Sequence, residues 1–153
     1  MGRILIVEDE YQDFVEARQI LEKEFPSVTV DHLVTELGFR RWLGDPAAPF
    51  PDLIILDNML PWTEPSPDME PEPEELVKAG RLNAGLRCYE LLRDHPLRSH
   101  IPVIMLTVLS IVCPAGAECV PKFERGRLAI TARNLLGRNA LGKQIEDERA
   151  DGE

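Results

Sequence analysis

Five polar residues, Glu8, Asp9, Asp57, Thr107 and Lys122, stand at or just beyond the ends of apolar runs, and together their types can do chemistry. Glu8 and Asp9, with Glu10 next, follow Ile4-Leu5-Ile6-Val7. Asp57 closes Leu53-Ile54-Ile55-Leu56, Thr107 follows Val103-Ile104-Met105-Leu106, and Lys122 lies just past a weaker run, Ala117 to Val120. Carboxylates brought together repel one another, and burial raises their pKa values. A hard divalent cation relieves that conflict, because Mg²⁺ takes oxygen ligands from carboxylates, water and phosphate. A lysine and a hydroxyl beside such a cluster suit the charge and hydrogen bonds of a phosphoryl group. A carboxylate can itself be the nucleophile that accepts one. Phosphoryl transfer rests mostly on positioning and charge neutralisation, and this set offers both. Taken singly, each residue has a blander use. Glu8 and Asp9 suit a helix start, Asp57 a turn, Thr107 a cap and Lys122 a solvated surface. Their joint placement favours the chemical use.

That chemistry requires the runs to end side by side. Three of the runs do not alternate polar with apolar, which predicts strands buried on both faces, as in a parallel sheet. Val28-Thr29-Val30 adds another strand and Ala117 to Val120 a weaker fifth. Between them lie stripes of helical period. Phe14, Ala17, Leu21 and Phe25 form one, ended by Pro26; Leu33, Leu37, Trp42 and Leu43 form a second, ended by Gly44-Asp45-Pro46. Leu82, Leu86, Tyr89 and Leu92 give a third before Pro96, and Leu128, Ala132, Leu135 and Leu136 the last. Strand and helix alternate, so the predicted class is α/β with a doubly wound sheet. Ligands of such sheets bind at the carboxyl ends of the strands, where the five polar residues fall.

The 153 residues predict one domain with room for a core. Seventeen basic against 27 acidic residues give a net charge of −10, which argues against direct nucleic-acid binding. No apolar run is long enough for a membrane span, and the first residues lack the apolar region of a signal peptide, so a cytoplasmic protein away from membranes is expected. Cys88, Cys113 and Cys119 are an odd, sparse set that predicts reduced thiols. Cys113 and Cys119 flank Pro114-Ala115-Gly116, close enough for a redox pair, but are read as two part-buried thiols. His32, His95 and His100 lack metal-ligand spacing.

Two segments break the rhythm. Asn58 to Glu75 carries five prolines and six acids, far longer than a usual βα loop. It is expected to be a solvated, mobile insertion, with a lid or docking loop as the functional alternative, because it leaves the sheet beside Asp57. Val108 to Glu118 leaves room for only a turn or two of helix. The acid-rich tail from Gln144 is expected to fray.

The chain resembles the receiver domains of two-component response regulators. The matching segments are Ile4-Leu5-Ile6-Val7-Glu8-Asp9-Glu10, Pro51-Asp52-Leu53-Ile54-Ile55-Leu56-Asp57-Asn58-Met59-Leu60-Pro61, Ile101-Pro102-Val103-Ile104-Met105-Leu106-Thr107 and Val120-Pro121-Lys122. The resemblance spans residues 3 to about 140, with an insertion over 62–80 and an acidic tail over 141–153. It implies a five-stranded parallel sheet of flavodoxin-like order 2-1-3-4-5. No output domain follows, so it implies a stand-alone receiver. By resemblance Asp57 is the phosphoacceptor. Glu8 and Asp9 are the acids that hold Mg²⁺, Asp9 the more direct ligand, and the Met59 carbonyl is a backbone ligand. Thr107 is the switch hydroxyl, and Lys122 pairs with the acceptor and then with the phosphoryl group. The implied donor is a phosphohistidine on a sensor histidine kinase or phosphotransfer protein, and the implied output is a downstream protein target, with a homodimer among the assemblies. Such a chain is no enzyme beyond its own phosphotransfer and dephosphorylation.

The sequence departs from the family pattern in several places. Gly85 is the match for the glycine near the start of the third helix, displaced by the insertion. Val108 replaces a small residue, Phe123 stands where proline follows the lysine, and Cys119 and Val120 stand in place of an aromatic switch. The face built from the fourth helix, fifth strand and fifth helix must therefore be altered. Met59 and Leu109 are apolar where a hydrolytic water would approach, which predicts a long-lived phosphorylated state. The alternatives are a receiver-like interaction module independent of phosphate and, well behind, a phosphatase of the haloacid-dehalogenase kind. The latter wants an acid two residues after Asp57, where Met59 stands.

Overall fold

A computed structural model describes residues 2–64, 71–80, 83–108 and 112–137, the side chains of residues 78 and 79 apart. Five parallel strands, β1 (Arg3–Val7), β2 (Thr29–Leu33), β3 (Leu53–Asp57), β4 (Val103–Thr107) and β5 (Glu118–Pro121), form one sheet of order β2-β1-β3-β4-β5. The predicted class and strand order are both met. The apolar runs are continuous because side chains alternate between two covered faces. Ile4, Ile6, Leu53, Ile55, Ile104 and Leu106 pack with Phe14, Ala17 and Leu21 of α1 (Tyr11–Glu24) and with Leu128 and Ala132 of α5, described over 127–137. Leu5, Val7, Ile54, Leu56 and Met105 face the other way, onto Phe39 and Leu43 of α2 (Glu36–Gly44) and Ala84, Cys88 and Leu92 of α4 (Ala84–Arg93).

The second helix corrects the expected stripe. Leu33 belongs to β2, and α2 buries Glu36, Phe39 and Leu43. Thr35 sets that phase, since its hydroxyl accepts the Gly38 N–H at 2.9 Å and starts the helix at Glu36. The buried carboxylate of Glu36 is invisible to an apolar count. In the third predicted helix, Leu82 lies outside the described residues, while Tyr89 and Leu92 are buried as expected.

The insertion is partly structured at both ends. The Pro61 and Trp62 carbonyls accept the N–H groups of Glu36 and Leu37 at 2.9 and 3.0 Å, so the chain leaving β3 satisfies the start of α2. Past the prolines, a short helix α3 (Glu74–Ala79) begins after Pro73 and buries Leu76. Residues 65–70 lie outside the described residues. So does the predicted tail over 141–153.

Between β4 and β5 no helix occurs among the described residues. The expectation of two free thiols is overturned, because Cys113 and Cys119 form a disulfide with Cα atoms 5.9 Å apart. The cause is a reversal at Gly116, whose φ of +87° suits glycine and folds the loop back onto the edge strand. Cys88 is a buried thiol, pushed up to about 12 by burial and by the charge of Glu36. No helix among the described residues is long and apolar enough to cross a membrane.

Candidate functional site

The parallel register brings the strand ends to one rim. Val7 lies beside Leu56, Asp57 beside Leu106, and Thr107 beside Pro121. Glu8 and Asp9 leave β1, Asp57 and Thr107 are the last residues of β3 and β4, and Lys122 opens a single 3-10 turn after β5. Glu8, Asp57, Thr107 and Lys122 are buried, and Asp9 is half-buried. The predicted residues therefore gather at one rim from four parts of the chain.

Lys122 is the cation at their centre. Its ammonium donates to Glu8 Oε1 at 3.1 Å and to Asp57 Oδ2 at 3.3 Å. The other Asp57 oxygen accepts the Met59 N–H at 3.2 Å. Glu8 Oε1 also accepts the Glu10 N–H at 3.2 Å. Glu8, Asp9 and Asp57 each offer a carboxylate oxygen, and these oxygens all lie within 4.8 Å of one another. Burial, with the adjacent Asp57 charge, pushes the Glu8 carboxyl up to about 8 against the opposing pull of Lys122. Burial draws the Lys122 pKa down, but its hydrogen bond to Asp13 and the charges of Asp57 and Glu8 outweigh it and hold it above the ordinary lysine value. The pocket thus carries more negative charge than one lysine neutralises. Clustered hard oxygens, partly desolvated and short of positive charge, fit a divalent cation such as Mg²⁺.

No protein-family model and no curated protein matches the chain. Solved structures do. The signal receiver domain of a histidine kinase from Syntrophus aciditrophicus is similar at 27% identity, with 90% of this chain and 91% of that chain covered and a TM-score of 0.64. A CheY-like response regulator receiver domain from Methanospirillum hungatei is similar at 24% identity, over 93% and 98%, with a TM-score of 0.61. The Mn²⁺-bound form of response regulator Rcp1 is similar at 22% identity, over 72% and 68%, with a TM-score of 0.55. The fold is that of a response regulator receiver domain.

In this receiver the end of β3 is held in place because α4 is pressed against it. The Gly85 N–H donates to the Asn58 carbonyl at 3.0 Å, and the Leu86 N–H donates to Asn58 Oδ1 at 3.0 Å. A Cβ on Gly85 would lie 2.3 Å from the Asp57 carbonyl oxygen, so only glycine allows this approach. Around the rim, Tyr11, Val108 (61% exposed) and Phe123 (82% exposed) face solvent. Leu109 lies outside the described residues.

Two neighbours escaped the sequence reading. His32, on β2, donates from Nε2 to the Glu8 carbonyl at 2.7 Å, and its ring stacks on Phe14 at 3.6 Å. Its place at the carboxyl end of a strand was the available signal, hidden because the predicted strand stopped at Val30. Asp13, in the first turn of α1, accepts from Lys122 at 2.9 Å and from Arg125 at 2.5 Å. An acid in a helix's first turn reads as a partner of the helix dipole, which concealed it.

Proposed function

We propose that this receiver accepts a phosphoryl group on Asp57 from a phosphohistidine, with Mg²⁺ held by Glu8, Asp9, Asp57 and the Met59 carbonyl. The observation that carries the reading is a buried, acid-rich pocket in which the lysine at the end of β5 already reaches the Asp57 carboxylate at 3.3 Å. A neighbouring fold, Rcp1, was solved with Mn²⁺, which supports a divalent cation among these acids. Bound there, the cation supplies positive charge to the phosphoryl oxygens and to the crowded carboxylates.

In the transfer, an Asp57 carboxylate oxygen attacks phosphorus. The P–N bond to the donor imidazole breaks, its electron pair returns to the ring, and the leaving nitrogen takes up a proton. An acyl phosphate forms on Asp57. The Met59 N–H fixes one face of the acceptor. The Lys122 ammonium offers its charge to the incoming group, and Thr107, at the end of β4, offers a hydroxyl. Apolar Met59 supplies nothing that would orient a hydrolytic water, which favours a long-lived acyl phosphate. The donor is a sensor histidine kinase or phosphotransfer protein in the cytoplasm, and the output is a changed contact with a downstream protein or a second copy of the chain. The insertion beside Asp57, with its acids, selects partners by charge.

Incubation with acetyl phosphate and Mg²⁺, followed by intact mass, tests the reading. One added phosphoryl group is expected in the parent and none in Asp57→Asn. A parent that takes up nothing, or an Asp57→Asn protein that is still modified, would contradict it.

A further inference from the structure

The carboxylate nearest to the Lys122 ammonium belongs to neither the acceptor nor the acid pair. Asp13 Oδ2 lies 2.9 Å away, against 3.1 Å for Glu8 and 3.3 Å for Asp57. An ammonium has three N–H donors, and here each has its own carboxylate. Two of those acceptors, Glu8 and Asp57, belong to the cluster suited to a divalent cation; Asp13 does not. When a cation and a phosphoryl group draw on Glu8 and Asp57, Asp13 is the contact that Lys122 keeps.

Asp13 is itself held in place. Arg125 donates from Nη2 to Asp13 Oδ1 at 2.5 Å, and its Nη1 pairs with Glu16 Oε2 at 2.5 Å. Asp13 and Glu16 are three residues apart on α1, so one guanidinium spans both and ties α1 to the segment after β5. A helix-dipole role alone would leave the Asp13 oxygens facing water or backbone N–H groups. Instead both oxygens accept from side-chain cations of the β5–α5 segment.

We propose that Asp13 is the positioning residue for Lys122, the anchor that keeps the ammonium over the site while Glu8 and Asp57 are engaged in phosphoryl transfer. This rests on the reading of Asp57 as phosphoacceptor. It also gives the receiver a link from its site to the segment bearing Phe123 that needs no aromatic on β5. Lys122 and Arg125 share Asp13, so a change in the pull on one changes the hold on the other.

The test compares the full chain with Asp13→Asn, Asp13→Glu and Asp57→Asn, using acetyl phosphate as donor over a Mg²⁺ series. Asp13→Asn is expected to lower the maximal phosphorylation rate about tenfold, because a misplaced lysine costs transition-state stabilisation. The half-saturating Mg²⁺ concentration should stay within about twofold of the parent, since the cation cluster is intact. Asp13→Glu, which keeps the charge, should recover most of the rate. An Asp13→Asn protein that matches the parent rate, or loses rate only through weaker Mg²⁺ binding, overturns the proposal. If Asp57→Asn is still phosphorylated, the phosphoacceptor reading itself fails, and this role falls with it. A second measurement does not need transfer. In protein labelled with ¹⁵N-lysine, the exchange-protected Lys122 ammonium signal should survive saturation with Mg²⁺ in the parent and be lost in Asp13→Asn. Its survival in Asp13→Asn also overturns the proposal.

Discussion

Among the described residues, the buried acid Glu36 and the acids at the carboxyl ends of the strands differ in charge balance. Glu36, 1% exposed, receives two hydrogen bonds from Arg87, at 2.7 and 3.1 Å, and one from Arg40 at 3.0 Å. Two guanidinium groups serve one carboxylate there, and the Arg87 pKa is raised above its ordinary value, first by its hydrogen bond to Glu36. At the carboxyl ends of the strands acids outnumber cations: Glu8, Asp57 and Asp13 share the ammonium of Lys122, and of the three Asp13 also meets Arg125. The first cluster is closed and holds α2 to α4. The second is short of positive charge, and that deficit is what a cation and a phosphoryl transfer can use. A buried carboxylate whose counter-charge is shared among several acids is a candidate functional group, and one met by its own cations is a structural tie.

The sharpest way to break that distinction is Arg87→Ala. It leaves Glu36 buried with Arg40 alone, and a loss of about 3 kcal/mol in urea unfolding is expected. A loss below about 1 kcal/mol would mean that the first cluster is not closed by Arg87. Gly85→Ala comes next. It strikes the backbone between the two clusters, where the added Cβ meets the Asp57 carbonyl. A cost of about 2 kcal/mol is expected from overpacking, together with slower phosphorylation as Asp57 shifts. Unchanged stability and rate would show that α4 can move away from β3 freely.

A smaller effect, of opposite sign, belongs to the second cluster. Asp57→Asn removes one of the crowded charges. It should stabilise the metal-free protein by about 1 kcal/mol while abolishing phosphorylation, the trade between stability and function expected of a strained site. Destabilisation on that change would place the acceptor among satisfied acids.

The smallest expected effect is a pH dependence. The Glu8 carboxyl titrates near 4.5 in the unfolded chain and at about 8 in the fold. The fold thus favours protonated Glu8. That contribution is complete below pH 4.5 and is lost as pH rises through about 8. The Tm of metal-free protein should fall by a few degrees between about pH 6 and pH 9. Mg²⁺ should raise it again, more at the higher pH, because the cation binds the deprotonated acid. A flat profile, or equal Mg²⁺ stabilisation at both ends, would remove Glu8 from the conflict.

The strand ends were legible in the sequence for a physical reason. Strands covered on both faces must be apolar throughout, so the first polar residue after each run stands out, as Glu8, Asp57 and Thr107 did; Lys122 follows an edge strand that carries exposed Glu118 and stood out less. The helices were less transparent. Glu36 and Asp13 are acids on amphipathic helices, where an acid ordinarily marks the solvent face, and nothing local distinguishes one that meets an arginine 51 residues later, as Glu36 meets Arg87. The Cys113–Cys119 bond was partly legible: the spacing allowed a redox pair, but forming it depends on the Gly116 reversal and on where β5 starts. The insertion was half legible. Its prolines predicted irregular chain, but the capping of α2 by the Pro61 and Trp62 carbonyls uses backbone groups that no sequence displays.

Asp57 is the residue proposed to use the charge deficit. Borohydride converts an aspartyl phosphate to homoserine, so reduction after treatment with acetyl phosphate and Mg²⁺, followed by peptide mass mapping, reads the modified position directly. Homoserine at position 57 alone, and only when Mg²⁺ is present, is the predicted result. Homoserine at Asp9 or Asp13, or 5-hydroxynorvaline at Glu8, in place of conversion at Asp57, or conversion at 57 that does not depend on Mg²⁺, would contradict it.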